Sequence, residues 1–401
     1  MKLHIAIPVM QELELLPATL DCIAKQFDAE PFHVYICVNQ PEKLWNIPEK
    51  LWNESKEQRI CSENQAVLQM LSQEKRFPLT VFDYASRGRG WKDKKSGVGH
   101  ARKVLFDHIV AHAEENDIVV SLDADTTFGM AYFSAIRKMF CRFPKSVGLM
   151  VPYYHRLTGD EVMDRAILRY EIYMRCYALN LSSIGSPYNF TALGSAMAIP
   201  VHALKAVGGI TPYSSGEDFY LAQKLRKYGE LLLWLPETVF PSARLSDRVA
   251  FGTGPAMMKG VQNNWSAYPI YPPEAFAPLK ETFLLFSQLF ENDCPTPMDN
   301  FLNHLFPNQN IWQPLRNNFK TEQQFVKACH QKIDGLRTLQ FLRSLEMKSC
   351  DNENLTKNIR HHYGVEIVDF QFEKSPIEAL DAVRNLLFEE GQKLQKQPKL
   401  T

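Results

Sequence analysis

The stretch Ile118–Phe128, Ile-Val-Val-Ser-Leu-Asp-Ala-Asp-Thr-Thr-Phe, constrains the fold more than any other part of the chain. Its first five residues, Ile118–Leu122, are nearly all apolar and rich in β-branched side chains, and the run is too short for a helix, so it predicts a buried strand. Asp123 and Asp125 follow directly. Because open α/β sheets bind their ligands at the carboxyl ends of strands, chemistry is expected at these two residues.

Two carboxylates on either side of one small residue cannot both be hidden in a core without partners. Asp123 and Asp125 can chelate Mg²⁺ or Mn²⁺, directly or through water, while the cation holds a diphosphate. The alternative is an Asp-rich turn that closes the strand, with Thr126 capping the segment that follows. Because an Asp-x-Asp pair alone is a weak signal, the choice depends on the rest of the chain.

Length and charge narrow the class of protein. At 401 residues the chain is long for one core, which favours two domains or one domain with a large extension. Lys+Arg and Asp+Glu both number 45, so there is no bulk electrostatic case for nucleic acid as a partner. No apolar run approaches the ~18 residues of a transmembrane segment, which leaves only peripheral membrane association open. Because strand-like sequence begins near the N-terminus, we expect no signal peptide. The cysteines are scattered and form no Cys-x-x-Cys pair, which favours reduced thiols and a cytoplasmic location.

The first part of the chain alternates strands and helices. Leu3–Val9 is a predicted strand that Pro8 can terminate, and Glu12–Phe27 is a predicted helix with one apolar face. Phe32–Val38 is the next predicted strand, and Asn39 follows it. A strand, a helix and a strand at this spacing predict a βαβ unit with parallel pairing and a right-handed crossover.

A basic, glycine-rich loop comes after the third predicted strand, Leu79–Tyr84. The loop, Ser86–Ser96, leads to Gly97, which opens a predicted helix that carries Arg102. Cations and glycines before a helix start suit a phosphate site, because backbone N–H groups and the helix dipole add to the charge. The alternative is a solvated mobile loop. The cations of the loop are Arg87, Arg89, Lys92, Lys94 and Lys95.

Two later segments complete the candidate site. Glu217 and Asp218 follow Gly216 at the start of another predicted helix, where they could be no more than favourable first-turn charges. The loop Pro241–Gly254 contains Arg244 and Arg248. Beyond it, strand signals largely vanish and amphipathic helical patterns dominate. We therefore expect an α/β domain over residues 1–275 and a mainly helical extension over residues 276–401.

Taken in order, these signals resemble the GT-A fold glycosyltransferases of the large family-two type. The resemblance covers roughly residues 3–235 and implies a Rossmann-like, mostly parallel sheet flanked by helices, with the C-terminal helical extension outside it. Five motifs in the family's order carry it: Ile5–Val9 with Glu12, Cys37–Asn39, Gly97–Arg102, Leu122–Asp125, and Gly216–Asp218 followed by Leu221.

The resemblance implies an enzyme that moves a sugar from a nucleotide-sugar donor to an acceptor hydroxyl. The metal would be Mg²⁺ or Mn²⁺ on Asp123 and Asp125, and Asp218 would be the base of an inverting displacement, with Glu217 orienting the acceptor or the loop. The implied donor-site residues are Pro8, Glu12, Asn39, Gly97, Arg102 and Asp123. Asn39 would approach the base or ribose, but it stands where the family usually has an acid, so the nucleotide stays open.

Three alternatives remain at this point. The loop Pro241–Gly254 is similar to the Arg-rich loop of retaining glucosyl-phosphoglycerate synthases, so a retaining enzyme on the same fold is the first. A nucleotidyltransferase is the second, although Pro8–Glu12 lacks the glycines and cations that such enzymes usually carry after the first strand. A GT-A scaffold kept for binding is the third. The sequence leaves the donor sugar, the acceptor, the oligomeric state and the role of residues 276–401 open.

Overall fold

The computed structural model describes residues 1–26, 30–46, 55–92, 97–213, 215–246, 252–307, 309–345 and 350–395. The chain forms two compact units. The first comprises Met1–Ile167 and Thr191–Asn263 together with the chain end from Gln395, and the second comprises Leu168–Phe190 and Asn264–Leu394. The predicted domain boundary between residues 275 and 276 stays a prediction.

The first unit is built on a seven-stranded mixed sheet with the order β3-β2-β1-β4-β7-β6-β8. Every neighbouring pair except the two that involve β7 is parallel. The predicted fold class, a mostly parallel α/β sheet flanked by helices and followed by a helical region, is confirmed. The strands are β1 Leu3–Val9, β2 Phe32–Asn39, β3 Leu79–Tyr84, β4 Ile118–Ser121, β6 Gly148–Met150, β7 Met197–Pro200 and β8 Leu231–Leu232.

The two central strands, β1 and β4, are buried along their whole length, as the nearly continuous apolar sequence of β4 predicts for that strand. Strand β1 has the predicted bounds, Leu3–Val9, and Pro8 is its last residue but one. Pairing with β4 stops at Ala6, so beyond that point β1 has a neighbour only on its β2 side. A proline that lacks an N–H is tolerated where one side of the strand is unpaired.

Helices flank the sheet in the first unit. The helix predicted over Glu12–Phe27 begins only at Leu16, with Pro17 in its first turn, where a missing N–H does no harm. The described helices of this unit are α1 Leu16–Ala24, α2 Lys56–Ser72, α3 Val98–His112, α4 Tyr132–Arg142, the first part of α5 Glu161–Ser183, α6 Val201–Ala206, α7 Glu217–Tyr228 and α8 Thr253–Gly260.

A short two-stranded sheet lies beside the main one and has a direct bearing on the site. It pairs β5, Thr127–Phe128, antiparallel with β9, Val239–Phe240. Strand β5 begins two residues after Asp125, and β9 ends shortly before Arg244. This pairing therefore carries the loop that follows β9 to the Asp-x-Asp turn.

The second unit is helical and holds two apolar clusters of its own. One is centred on residues such as Phe276, Phe286 and Phe325, and the other on residues such as Leu168 and Ile359. No described helix of the chain is long and apolar enough to cross a membrane. The helices after α8 are α9 Ala277–Leu284, α10 Phe286–Glu291, α11 Asp299–Leu305, α12 Gln313–Asn318, α13 Glu322–Lys332, α14 Gly335–Ser344, α15 Asp351–Tyr363 and α16 Ile377–Gln395.

Candidate active site

The Asp-x-Asp turn lies at the carboxyl end of β4, where the sequence predicts it. The Thr19 hydroxyl, on α1, donates to the carbonyl oxygens of Ala124 at 2.9 Å and Thr126 at 3.1 Å and so fixes the turn. Ala124 is buried, whereas the side chains of Asp123 and Asp125 are 36% and 14% exposed. The alternation of one buried small residue between two acids therefore directs both carboxylates away from the core.

Arg102 links this turn to the start of α7. Its side chain is 3% exposed, and its two terminal nitrogens donate to Asp123 and to Glu217. Burial by itself lowers the pKa of Arg102, but the carboxylates of Asp123, Glu217 and Asp218 outweigh it and raise that pKa above its ordinary value. Arg102 is therefore a fixed positive charge between two acidic segments.

Two glycines make room for this arrangement. Gly194 faces the Arg102 guanidinium so closely that a Cβ there would overlap it, and its carbonyl accepts a 2.6 Å hydrogen bond from the Ser121 hydroxyl. Gly97 precedes α3 with a φ of 103°, a left-handed conformation that favours glycine. It starts the helix one turn before Arg102 and so sets the direction from which the guanidinium enters the site.

Glu217 and Asp218 are the first residues of α7, which begins after Gly216 in the left-handed region with φ 75°. Glu217 is buried against Arg102, and Asp218 is half-buried. Burial raises the pKa of the Asp218 carboxyl to about 7, the charge of Glu217 adds to the rise, and Arg102 opposes it. Asp218 is therefore poised to exchange a proton near neutral pH.

A second arginine, Arg244, joins the carboxylates at the other side of the turn. Its Nη2 donates to Glu12 and lies 3.0 Å from Asp125 Oδ2. Burial lowers the pKa of Arg244, but Glu12, Asp125 and Asp123 outweigh this and hold the pKa above its ordinary value. The side chain is 29% exposed, far more than that of Arg102.

Pro8 and Asn39 lie at the same edge of the sheet, at the ends of β1 and β2. Pro8 pairs with Cys37, and the Asn39 Nδ2 donates to the carbonyl oxygen of Val9 at 2.9 Å. Asn39 is 2% exposed, and its Oδ1 has no hydrogen-bond partner among the described residues. The Nδ2 is thus fixed by the backbone, and the buried Oδ1 is an acceptor without a described partner.

The basic loop is organised differently from a simple phosphate cradle. The Glu42 carboxylate accepts hydrogen bonds from the backbone N–H groups of Gly88 at 2.8 Å and Gly90 at 2.7 Å. Arg89 lies 3.3 Å from Asp83. These groups are thus already paired within the protein. Lys94 and Lys95, also predicted to contact phosphate, lie outside the described residues.

The residues at the turn fit a divalent cation that is bound mainly through its substrate. Mg²⁺ and Mn²⁺ typically take one or two protein carboxylates and complete their shell with phosphate oxygens and water. Asp123 and Asp125 supply two such carboxylates, and each is now held by an arginine. Among the described residues, no group of three or more His, Cys, Asp or Glu side chains could hold a metal without such help.

The structure thus brings most of the predicted site residues into two contact groups. Asp123, Arg102 and Glu217, with Asp218 beside them, form one, and Asp125 and Glu12 with Arg244 form the other. In the sequence, Arg244 stands out only as part of an Arg-containing loop. The signal that could have singled it out is the excess of acids in the motifs, which Arg102 alone cannot balance.

Comparison with known proteins gives no family by sequence. Neither a protein-family model nor a curated protein matches the chain. Among solved structures, residues 1–349 of S. aureus TarS in complex with UDP-GlcNAc are 13% identical, with 99% of this chain and 91% of that chain covered and a TM-score of 0.41. The mannosyltransferase PcManGT from Pyrobaculum calidifontis, in complex with GDP-Man and Mn²⁺, is 14% identical, with 98% and 84% covered and a TM-score of 0.36.

A third solved structure, GalNAc-T7 with UDP, GalNAc and Mn²⁺, is 13% identical to this chain. The match covers 83% of this chain and 57% of that chain, with a TM-score of 0.37. TM-scores this low do not by themselves establish a shared fold. The functional assignment therefore rests on the geometry of the site.

Proposed function

We propose that this chain is a GT-A-type glycosyltransferase of the family-two kind, which moves a sugar from a nucleoside-diphosphate-sugar to an acceptor hydroxyl with the help of a divalent cation. The observation that carries the proposal is the ion-pair chain from Asp123 through Arg102 to Glu217. This chain links the carboxylates of the Asp-x-Asp turn, which suit a cation that holds a diphosphate, to the start of α7, where Asp218 can accept a proton. A displacement at a sugar carbon needs both functions at one site.

The charge of the site supports cation assistance. Two guanidinium groups face five carboxylates, so an anionic diphosphate cannot approach without added positive charge. A cation on Asp123 and Asp125 would stabilise the negative charge that develops on the leaving diphosphate. The five carboxylates belong to Glu12, Asp123, Asp125, Glu217 and Asp218.

Asp218 is the proposed general base of an inverting displacement. In its ionised form it would accept the proton of the acceptor hydroxyl while the oxygen attacks the anomeric carbon and the diphosphate leaves. A base with a pKa of about 7 combines a useful ionised fraction with enough basicity to take the proton. Glu217, held by Arg102, would keep the first turn of α7 in place and supply part of the field that raises this pKa.

Product analysis with a panel of nucleotide-sugars tests the proposed reaction. A glycosyltransferase releases the nucleoside diphosphate, whereas a nucleotidyltransferase releases pyrophosphate and a binding scaffold releases nothing. One observation favours the retaining alternative, namely that Arg244 from the Arg-containing loop reaches the site. The anomeric configuration of the product, read by NMR, separates inverting from retaining transfer.

Replacing Asp125 with Ala should abolish the cation dependence of nucleoside diphosphate binding. The residue lies in the turn between β4 and β5, and its partner Arg244 keeps the ion pair with Glu12, so the fold should survive. Calorimetric titration of the diphosphate with and without Mn²⁺ measures the effect. Asp107→Ala is the control, because that acid is exposed on α3 and its described ion pair is with Lys103. Unchanged cation dependence in Asp125→Ala would remove this residue from the proposed metal site.

Asn39 predicts that the base of the donor is held by a hydrogen bond that the base donates. Because its Nδ2 is bound to Val9, the remaining Oδ1 can only accept, and it can accept from the ring N–H of uracil or guanine or from the amino group of adenine or cytosine. Loss of this acceptor in Asn39→Leu should weaken the binding of the preferred nucleoside diphosphate by about 10-fold. Calorimetric titration of UDP, GDP, ADP and CDP against the wild type and the variant checks this. Equal affinities in the two proteins would contradict the assignment of Asn39 to the base.

A further inference from the structure

Each arginine of the site holds one of the two carboxylates that suit the cation, but the two arginines are held in unlike ways. Arg102 lies on α3, is almost fully buried, and is fixed at both terminal nitrogens by acids from different segments. Arg244 lies in a stretch without regular structure after β9 and makes its described ion pairs through one nitrogen, Nη2. Arg102 is therefore a fixed part of the site, and Arg244 can move without breaking a helix or strand.

A cation and Arg244 compete for the same oxygen atoms. Asp125 Oδ2 lies 3.0 Å from the Arg244 nitrogen, so a cation bound there would face a guanidinium at close range. Like charges in a partly buried site repel strongly, because the effective dielectric constant is well below that of water. Full use of Asp125 as a ligand therefore requires Arg244 to leave it.

The diphosphate provides the place to which the displaced guanidinium can go. It brings negative charge to the same edge of the sheet when the donor arrives, and a planar guanidinium suits phosphate oxygens better than any other side chain. Glu12 is the second partner of Arg244 and follows β1 at that edge, so it can tether the side chain during the exchange. No large movement of the fold is needed.

We propose that Arg244 is a diphosphate-binding residue that Asp125 and Glu12 hold in reserve, and that cation binding releases it onto the donor. Arg244 therefore competes with the cation for Asp125 before the donor binds. After the donor has bound, Arg244 binds its diphosphate. The inference rests on the proposed function, since it takes a cation and a diphosphate as the ligands. It assigns to Arg244 a role that a simple structural ion pair would not have.

The two roles predict opposite changes in one variant. In Arg244→Gln, Mn²⁺ alone should bind about 5-fold tighter, because its competitor for Asp125 is gone. Pyrophosphate in the presence of saturating Mn²⁺ should bind about 10-fold weaker, because a charge-assisted hydrogen bond is lost. The free Mn²⁺ signal in electron paramagnetic resonance measures the first change, and calorimetry measures the second.

The controls separate this inference from the proposed function. Arg59→Gln removes an equal charge from an exposed pair on α2 and should change neither affinity. Arg244→Lys keeps the charge without the planar fork, so both of its changes should be smaller than those of Arg244→Gln. If the wild type binds Mn²⁺ and pyrophosphate but Arg244→Gln shifts both affinities in the same direction or neither, the exchange is wrong and the proposed function stands. If the wild type binds neither probe, the cation-assisted function itself fails.

Discussion

Asp218→Asn should lower turnover by on the order of 10²–10⁴, the usual contribution of general-base catalysis, while nucleoside diphosphate affinity stays within about 3-fold of the wild type. The amide keeps the size of the carboxyl and most of its hydrogen bonds, but it cannot accept a proton near neutral pH. Asp218 makes no described ion pair with the Asp-x-Asp turn, so donor binding does not need it. Steady-state turnover with the true acceptor and calorimetry with the diphosphate measure the two quantities.

The pH profile gives the same residue a second test. In the wild type, kcat/KM should fall about tenfold per pH unit below about 7, because protonation of Asp218 removes the base. This limb should be absent from Asp218→Asn. Glu322→Gln is the control, since Glu322 is an exposed acid in the first turn of α13. If Asp218 were only a first-turn charge, its variant would behave like the control and lose about 0.3–1 kcal/mol of stability with activity retained.

The sequence predicts the sheet well because its strands are short, apolar and buried. The strands β1, β2, β3 and β4 lie within a residue or two of their expected bounds, and the motifs at their ends therefore fall on one edge. Two features escape such reasoning. Strand β7 carries the same apolar pattern as a parallel strand, yet it runs antiparallel. Strand β5 has two residues, too few for any periodicity to show, so although Thr238–Phe240 is a short strand candidate, the sequence does not predict that β9 pairs with β5.

The candidate site illustrates the same division between local pattern and long-range contact. Asp123 and Asp125 are recognisable because they follow a buried strand, and Glu217 and Asp218 because they open a helix. The sequence cannot show that Arg102 reaches both pairs, since that depends on the direction of α3 and on the space beside Gly194. The sequence predicts that Arg102 binds phosphate, whereas the described ion pairs of Arg102 are with carboxylates.

The contact of Arg244 with Glu12 is hard to predict from the sequence for a related reason. Its chain separation from Glu12 is 232 residues, and the pairing of β5 with β9 brings the segment that contains Arg244 to the Asp-x-Asp turn. The Gly-rich loop shows the opposite case, because its cations were conspicuous in the sequence while the backbone amides of Gly88 and Gly90 are bound by Glu42. Charge content alone therefore does not separate a ligand site from an internal ion pair.

Arg102→Met should destabilise the first unit strongly at neutral pH. The change removes a buried charge and leaves Asp123, Glu217 and Asp218 without their common partner, a kind of loss that typically costs about 3–5 kcal/mol. Because a chain with two compact units need not unfold in one step, local stability is the useful quantity. Hydrogen exchange of the amides in β4 and α7 measures it, and we expect protection there to fall.

The pH dependence of that loss identifies its cause. In the wild type, Arg102 lowers the pKa of Asp218 and opposes the effect of burial and of Glu217, so without Arg102 the folded-state pKa of Asp218 should rise further above its unfolded value. The folded state then binds more protons than the unfolded state, and stability increases as pH falls through the raised value. The deficit of Arg102→Met should therefore be smaller at about pH 5.5 than at about pH 8. Gly194→Ala disturbs the same guanidinium by overlap and keeps its charge, so its deficit should change much less with pH. Equal pH dependence in the two variants would show that Arg102 acts through packing and does not hold the acids by its charge.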